Sequence, residues 1–556
     1  MIPRHGVVAS VALVLGCGGA APTGDATVEI AHYELALDLI SRATQGTLTA
    51  TATSDGNCFA LADATRALTD VRVNGEAATT TYTADDNTEL TICGPGFYAG
   101  DALTISYRSV IPAETLGASQ VGFSSRSVGG GNFYYMLNWV AQCARLGICD
   151  PAPDRFATYR FVVAHPAELT VLCPGDISTS PTQTICNFSS AGGPLYSTMG
   201  IIAYDRWTSR SLGTWDGVAV TGFERAGGRV LDVIDADYFA NFMAWMSERF
   251  GPYPYGDELR IVVAPTYWAG FEHPGNIVLD DALVSALGGD EDAVHTLLHE
   301  IVHQWAGDQT TLASTYDFVW KEAMAEYLSF VYEDETDGEL ARLTRAGWKA
   351  YSNGAAYHPV PEEQPALFTY YGHVYGPGPM VLFRQLERLT SRDDVLAALQ
   401  TLLGAQRALS VDEVLAALEQ TTELSLDAYA DAWIYGTGAP AWPRIQLTGG
   451  VANGFYKLTA QVTNAQAVPL ACRFSVGLMS ADQSESQLVS VDLWNDGAPI
   501  ATWEADLALP SFEVASLVLD PNHECLVYPA ASLVTMPRGV NWSPWVTENR
   551  YRPGRP

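Results

Sequence analysis

The chain has 556 residues, 48% hydrophobic and 17% charged, which is too long for one core and suits three or four domains. Its 63 Asp+Glu against 30 Lys+Arg give a net charge of −33. Phosphate backbones need a positive footprint, so this balance argues against nucleic acid as a partner and fits a protein kept soluble by its acidity.

Arg4 and His5 precede a short apolar run over residues 6–15, and Val14-Leu15-Gly16-Cys17 looks like a bacterial lipoprotein cleavage site. Residues 1–17 are therefore expected to be a lipoprotein-type signal and 18–26 a Gly/Ala/Pro/Thr tether. An ordinary secretory signal with an incidental cysteine is the alternative. Either way the expectation is a bacterial protein exported to the cell envelope (periplasm or outer membrane) or secreted. It would meet a membrane only through a lipid on Cys17, because no later stretch is long and apolar enough to span a bilayer.

Nine cysteines are present. Without Cys17 the other eight fall in neighbouring pairs: Cys58 and Cys93, Cys143 and Cys149, Cys173 and Cys186, Cys472 and Cys525. Their even number supports disulfides in an oxidising compartment, although spacing alone leaves about 105 pairings open. No Cys-x-x-Cys spacing suggests a second metal site.

Residues 27–205 alternate apolar and polar side chains in short runs such as Leu35-Ala36-Leu37-Asp38-Leu39 and Leu103-Thr104-Ile105-Ser106-Tyr107, the pattern of a β-sandwich. The period then changes. Phe239, Phe242, Met243, Trp245 and Met246 lie at helical spacing within 235–250, closed by Gly251-Pro252. A strand is expected at 259–264, a glycine-rich turn at 270–275, and an edge strand at 277–279. Asp290-Glu291-Asp292 open a helix running to Gly307, where acidic residues complement the helix dipole and glycine ends it. A second helix is expected over 317–334, and residues 365–436 read as almost wholly helical, with a Ser410-x-x-Glu413 capping box. Strand patterns return over 441–535, a second β-sandwich. The tail, 536–556, carries Arg550, Arg552 and Arg555. The fold class is thus multidomain α+β: N-terminal β-sandwich (27–205), mainly helical middle domain (206–440), C-terminal β-sandwich (441–535).

The chemistry lies in His299-Glu300-Ile301-Val302-His303, followed after eighteen residues by Glu322. Histidines four apart share a helix face and can reach one ion, and a carboxylate from a second helix supplies a third ligand while leaving a fourth position open. His299, His303 and Glu322 are therefore the expected ligands of one Zn²⁺. Glu300, beside the first ligand, is placed to act as a general base. Glu326, one turn beyond Glu322, is placed to orient a ligand imidazole. His295 shares the helix face, but a rise of about 6 Å over four residues keeps three successive histidines from closing on one ion. A tetrahedral oxyanion needs a further donor, and Tyr370, Tyr371 and Tyr375 near His373 can supply one.

Several segments in order resemble the aminopeptidase N-like zinc metallopeptidases, gluzincins that include leukotriene hydrolase. They are Phe250-Gly251-Pro252-Tyr253-Pro254-Tyr255, Ala269-Gly270-Phe271-Glu272-His273, His303-Gln304-Trp305-Ala306-Gly307-Asp308, Trp320-Lys321-Glu322-Ala323 and Tyr375-Gly376-Pro377-Gly378. The resemblance implies a thermolysin-like catalytic domain, Glu272 as the group that binds a peptide's free α-amine, and Tyr375 as the transition-state tyrosine. Against the family pattern, Ala269 replaces Gly, His273 replaces Asn, and Lys321 replaces the Asn before the third ligand; Gln142 lies near its second amine-binding position. The expected activity is aminopeptidase action on peptide substrates. A zinc endopeptidase or amidase without free-amine specificity, and a surface binding protein with a vestigial site, are the alternatives. Residue preference and oligomeric state are not encoded in these motifs.

Overall fold

The computed structural model describes residues 22–530 apart from 84–87, 115–120, 267, 285–288, 465–471 and 496–497. The expected signal, Cys17 and the 536–556 tail lie outside the described residues.

The described residues from 22 to 204 are built mainly from strands. Val28–Asp38 pairs antiparallel with Ala43–Ala52 and parallel with Phe156–Ala164 inside an eight-stranded sheet. Alternation dictates its faces: Leu35, Leu37, Leu48, Phe161 and Val163 are buried while their neighbours face outward. A four-stranded sheet that includes Gly56–Ala62 and Glu89–Phe97 packs into the same core. A third sheet goes beyond a two-layer sandwich: Gly122–Val128, Gly131–Leu137, Gly200–Tyr204 and Thr170–Leu172. It serves two cores because both faces are apolar. Phe123, Met136 and Ile201 pack with the N-terminal strands, while Phe133, Tyr135 and Leu137 join the core of the helical region. The cysteines pair as neighbours, Cys58–Cys93, Cys143–Cys149, Cys173–Cys186 and Cys472–Cys525.

A five-stranded sheet follows, in the order Trp207–Trp215, Val218–Arg225, Glu258–Ala264, Asn276–Asp280, Gly270–Phe271. The expected edge position of 277–279 is not found. Asn276–Asp280 is parallel to Glu258–Ala264 and antiparallel to Gly270–Phe271, and all five of its residues are buried. The chain folds back through the glycine-rich turn, so two residues of that turn take the edge.

Four long helices follow: α1 (Ala236–Phe250) and α2 (Asp290–His303) pack on this sheet, α3 (Phe318–Thr336) packs on α2, and α4 (Gly338–Ser352) packs on α3. Asp235 caps α1 by accepting from the Asp237 and Tyr238 amides. Helix α2 ends at His303, short of the Gly307 expected from sequence. The chain turns through Gly307 (φ 144°), and the Asp308 amide closes on the His303 carbonyl at 2.9 Å. Helix α3 is buried on every side from Phe318 to Glu333, as a helix passing through a core must be. Beyond α4, short helices include a π-helical stretch, Met380–Arg384, directly after Pro377–Pro379. The Ser410–Glu413 capping box forms. The C-terminal strands make a four-stranded and a three-stranded sheet, joined to the helices through the buried Lys349–Asp520 pair at 2.5 Å. Among the described residues no helix is long and apolar enough to cross a membrane.

Candidate metal and catalytic site

Leu297, Leu298, Ile301 and Val302 are fully buried and fix the roll of α2, so His299 and His303 project together on another face. Helix α3 crosses beside them and supplies Glu322. His299 Nε2 lies 2.9 Å from His303 Nε2, and Glu322 Oε2 lies 3.3 Å and 3.6 Å from the two rings. One donor atom from each of the three lies within 4.8 Å of the others. His303 Nδ1 is 2.9 Å from the Ala306 carbonyl, which fixes that ring's proton on Nδ1 and turns the Nε2 lone pair inward.

Two imidazole nitrogens and a carboxylate aimed at one point need a positive charge between them. In the metal-free protein a proton supplies it. Burial opposes the charge on His299, but hydrogen bonding to Glu322 and Glu326 outweighs it and raises this imidazole to about 10. His303 is lowered, by burial and by the Lys321 ammonium. Burial also opposes ionisation of Glu322, yet Lys321 and His303 hold it well below the usual carboxylate range. The donor set fits a divalent cation in place of that proton.

Glu326 sits behind the ligands. Its Oε1 is 3.1 Å from His299 Nδ1, with the ring N–H bent off the line, and its Oε2 accepts from Trp348 Nε1 at 2.7 Å. His295 is not in the donor cluster. It hydrogen-bonds Glu333 through Nδ1 and lies 3.4 Å from Glu326 through Nε2, as its offset along α2 requires.

Glu300, Glu272 and Tyr375 line one cavity of about 260 Å³ together with the three donors. Glu300 is buried, its Oε2 has no hydrogen-bond partner among the described residues, and burial raises its pKa well above the carboxylate range. Gly270 makes room for it, because a Cβ there would lie 2.2 Å from Glu300 Oε1. The Tyr375 hydroxyl donates to Glu322 Oε2 at 2.8 Å and touches the Tyr371 hydroxyl. Burial and Glu322 keep Tyr375 protonated. Tyr370 bonds the Pro359 carbonyl instead, and His373 Nδ1 accepts from the Ala356 amide, so neither is at the site.

Gln304 holds the Glu272 loop in place. Its amide donates to the Glu272 carbonyl at 3.2 Å, and its carbonyl accepts from the Gly275 amide at 2.9 Å. His273, fully buried, bonds the Ser197 carbonyl and ties the same loop to the N-terminal strands. Ser197 in turn donates to Asp308 at 2.5 Å. Gln142 is engaged by Arg145 at 3.2 Å; the N-terminal residue lining the cavity is Trp139, tilted against Trp268 with ring centroids 5.4 Å apart. Lys321, Trp139, Trp268 and Gln304 carry structural duties at the site to which sequence reasoning gave no role. Only Lys321 left a readable signal, a cation that shares the Val319-Trp320 to Met324-Ala325 stretch with Glu322 alone among apolar residues and must find carboxylates.

The peptidase family M1 domain matches over residues 235–433. The matched segment is similar to the M1 peptidase domain over about a third of the chain. The match bears out the resemblance to aminopeptidase N-like enzymes. The three donors, Glu300, Glu272 and Tyr375 all fall inside the matched segment, whereas Trp139 and Ser197 lie outside it. Curated relatives include leucine aminopeptidase 2 of Aspergillus niger, 25% identical over 37% of this chain and 36% of that protein. Leukotriene A-4 hydrolase of Xenopus laevis is 29% identical over 18% of this chain and 17% of that protein. The matches thus span about a third or less of those relatives' length. Two solved structures share the fold. Aminopeptidase A of Legionella pneumophila superposes with a TM-score of 0.70 at 14% identity, over 91% of this chain and 60% of that one. An M1 zinc metallopeptidase of Deinococcus radiodurans gives 0.59 at 19%, over 74% and 94%.

Proposed function

We propose that this protein is a zinc-dependent metallopeptidase that removes N-terminal residues from peptides. The observation that carries the reading is the convergence of His299, His303 and Glu322 in one cavity with Glu300, Glu272 and Tyr375. Two imidazoles and a carboxylate suit zinc, which when bound would supply Lewis-acid activation of water and of the peptide carbonyl. Glu300 takes a proton from the attacking water and delivers it to the leaving amine. Its partnerless Oε2 and its burial fit a group that exchanges protons rather than one locked in a salt bridge. Tyr375, held as a phenol, turns from Glu322 to donate to the developing oxyanion. Glu272 receives the α-amine through a charge-assisted hydrogen bond, and Glu326 keeps His299 oriented.

A second reading, hydrolysis without free-amine selection, is favoured by one contact: Lys321 already holds a Glu272 oxygen at 2.9 Å. Metal analysis combined with aminoacyl and N-acetylated chromogenic substrates, with and without chelator, separates the two. Stoichiometric zinc with cleavage confined to free-amine substrates is the expected result. A protein that retains no metal, or that cleaves neither substrate, overturns the reading. We also place the protein in an oxidising compartment, outside the cytoplasm, because eight cysteines pair as four disulfides.

A further inference from the structure

Lys321 sits on a fully buried turn of α3, between Trp320 and Glu322. Its side chain is 2% exposed, and its ammonium ends inside the cavity, 2.9 Å from Glu272 Oε1 and 2.7 Å from Glu322 Oε1. The placement is built into the fold. The lysine stem runs against Gly307, where a Cβ would stand 2.9 Å from Lys321 Cε. Gln304, three residues earlier, pins the Glu272 backbone. The carboxylate oxygen that Lys321 holds belongs to the group assigned to the substrate's α-amine. A second ammonium arriving at Glu272 therefore meets a fixed one a few ångströms away in a nearly dry cavity. Like charges about 4 Å apart under such conditions weaken binding by well over tenfold.

Building on the aminopeptidase reading, we propose that Lys321 is a specificity-determining residue: an internal ammonium that occupies Glu272 and must release it before a free amino terminus can bind. Release is feasible because Glu322 Oε1 remains as a partner, so the lysine is never left as a lone buried charge. The cost of that exchange falls on substrates with a charged amine and spares those whose amine is blocked. Free-amine peptides are thus weak-binding, high-KM substrates of this site.

The test uses Lys321→Met and Lys321→Arg with two readouts. The first is KM for an aminoacyl p-nitroanilide and Ki for its N-acetyl counterpart as a competitive inhibitor. The second is calorimetric binding of n-butylamine, an amine with no carbonyl, to the zinc-loaded protein. The expected result for Lys321→Met is at least an about tenfold fall in KM for the free-amine substrate and in Kd for butylamine, with no fall in Ki for the acetylated one. Lys321→Arg, which keeps the cation, stays near wild type. Unchanged or weaker butylamine binding in a folded Lys321→Met protein overturns the proposal, as does equal tightening in Lys321→Arg. If the methionine variant does not fold, Lys321→Gln, which retains a hydrogen bond to Glu322, replaces it under the same criteria. If no variant cleaves any aminoacyl substrate, the aminopeptidase reading fails, while the butylamine titration still decides the role of Lys321.

Discussion

At the metal end of the cavity, three donors face one another at the spacing that a cation fits. At the amine end, Glu272 is already paired with the protein's own ammonium. Lys321 touches both ends, 2.7 Å from Glu322 Oε1 and 2.9 Å from Glu272 Oε1, but the metal end adds two imidazole nitrogens facing Glu322 Oε2 while the amine end offers Glu272 alone. A buried site is governed by its charge count as much as by its shape. The metal end should bind a cation strongly, and the amine end should bind one reluctantly.

The largest effect should come from emptying the metal end. Chelation, or Glu322→Ala, is expected to abolish hydrolysis, with zinc restoring only the chelated wild type; persistent turnover in metal-free protein breaks the contrast. Next, Glu300→Gln should retain stoichiometric metal, measured by atomic emission, and lose about 10³-fold in kcat. A variant as fast as wild type removes Glu300 from the assigned role. Tyr375→Phe removes one donor to the oxyanion and should cost about 10²–10³-fold in kcat; a pure KM effect would make Tyr375 a binding residue instead. Glu326→Gln should weaken zinc about 10–100-fold, read by competition with a chromogenic chelator, because His299 loses its orienting carboxylate.

The smallest effect concerns protons. His299 in the metal-free protein titrates at about 10, so at pH 7 it is charged and must deprotonate to bind metal. Zinc binding near pH 7 should release about one proton from this residue, and affinity should rise about tenfold per pH unit toward pH 10. Calorimetry in buffers of different ionisation enthalpy measures the release; none at pH 7 would mean that the metal end lacks the compensating proton. The same raised value implies a stability term in metal-free protein that is complete below about 6.5 and is lost as pH rises through about 10.

Much of the fold was legible because it is periodic. Strand alternation in 28–38, the apolar face of 236–250 and the capped helix at 411–422 all appear where local pattern places them. The misreadings share a cause. The pattern at 277–279 suggests an edge strand because sequence cannot show that Gly270–Phe271 folds back onto it. The third N-terminal sheet escaped notice because its aromatic residues serve two cores at once.

The sequence by itself marked the candidate metal donors. The spacing of His299 and His303 is one helical turn, a local geometry independent of the rest of the chain. It also determined the neighbouring cysteine pairs as candidates and the acidic field. Only tertiary structure decided what faces those donors. Lys321 reaches Glu272 across 49 residues of chain, Gln304 clamps the loop 32 residues before it, and Trp139 arrives from the loop after the strand Gly131–Leu137. Such contacts depend on how separate elements pack, and periodicity within one element carries no information about them.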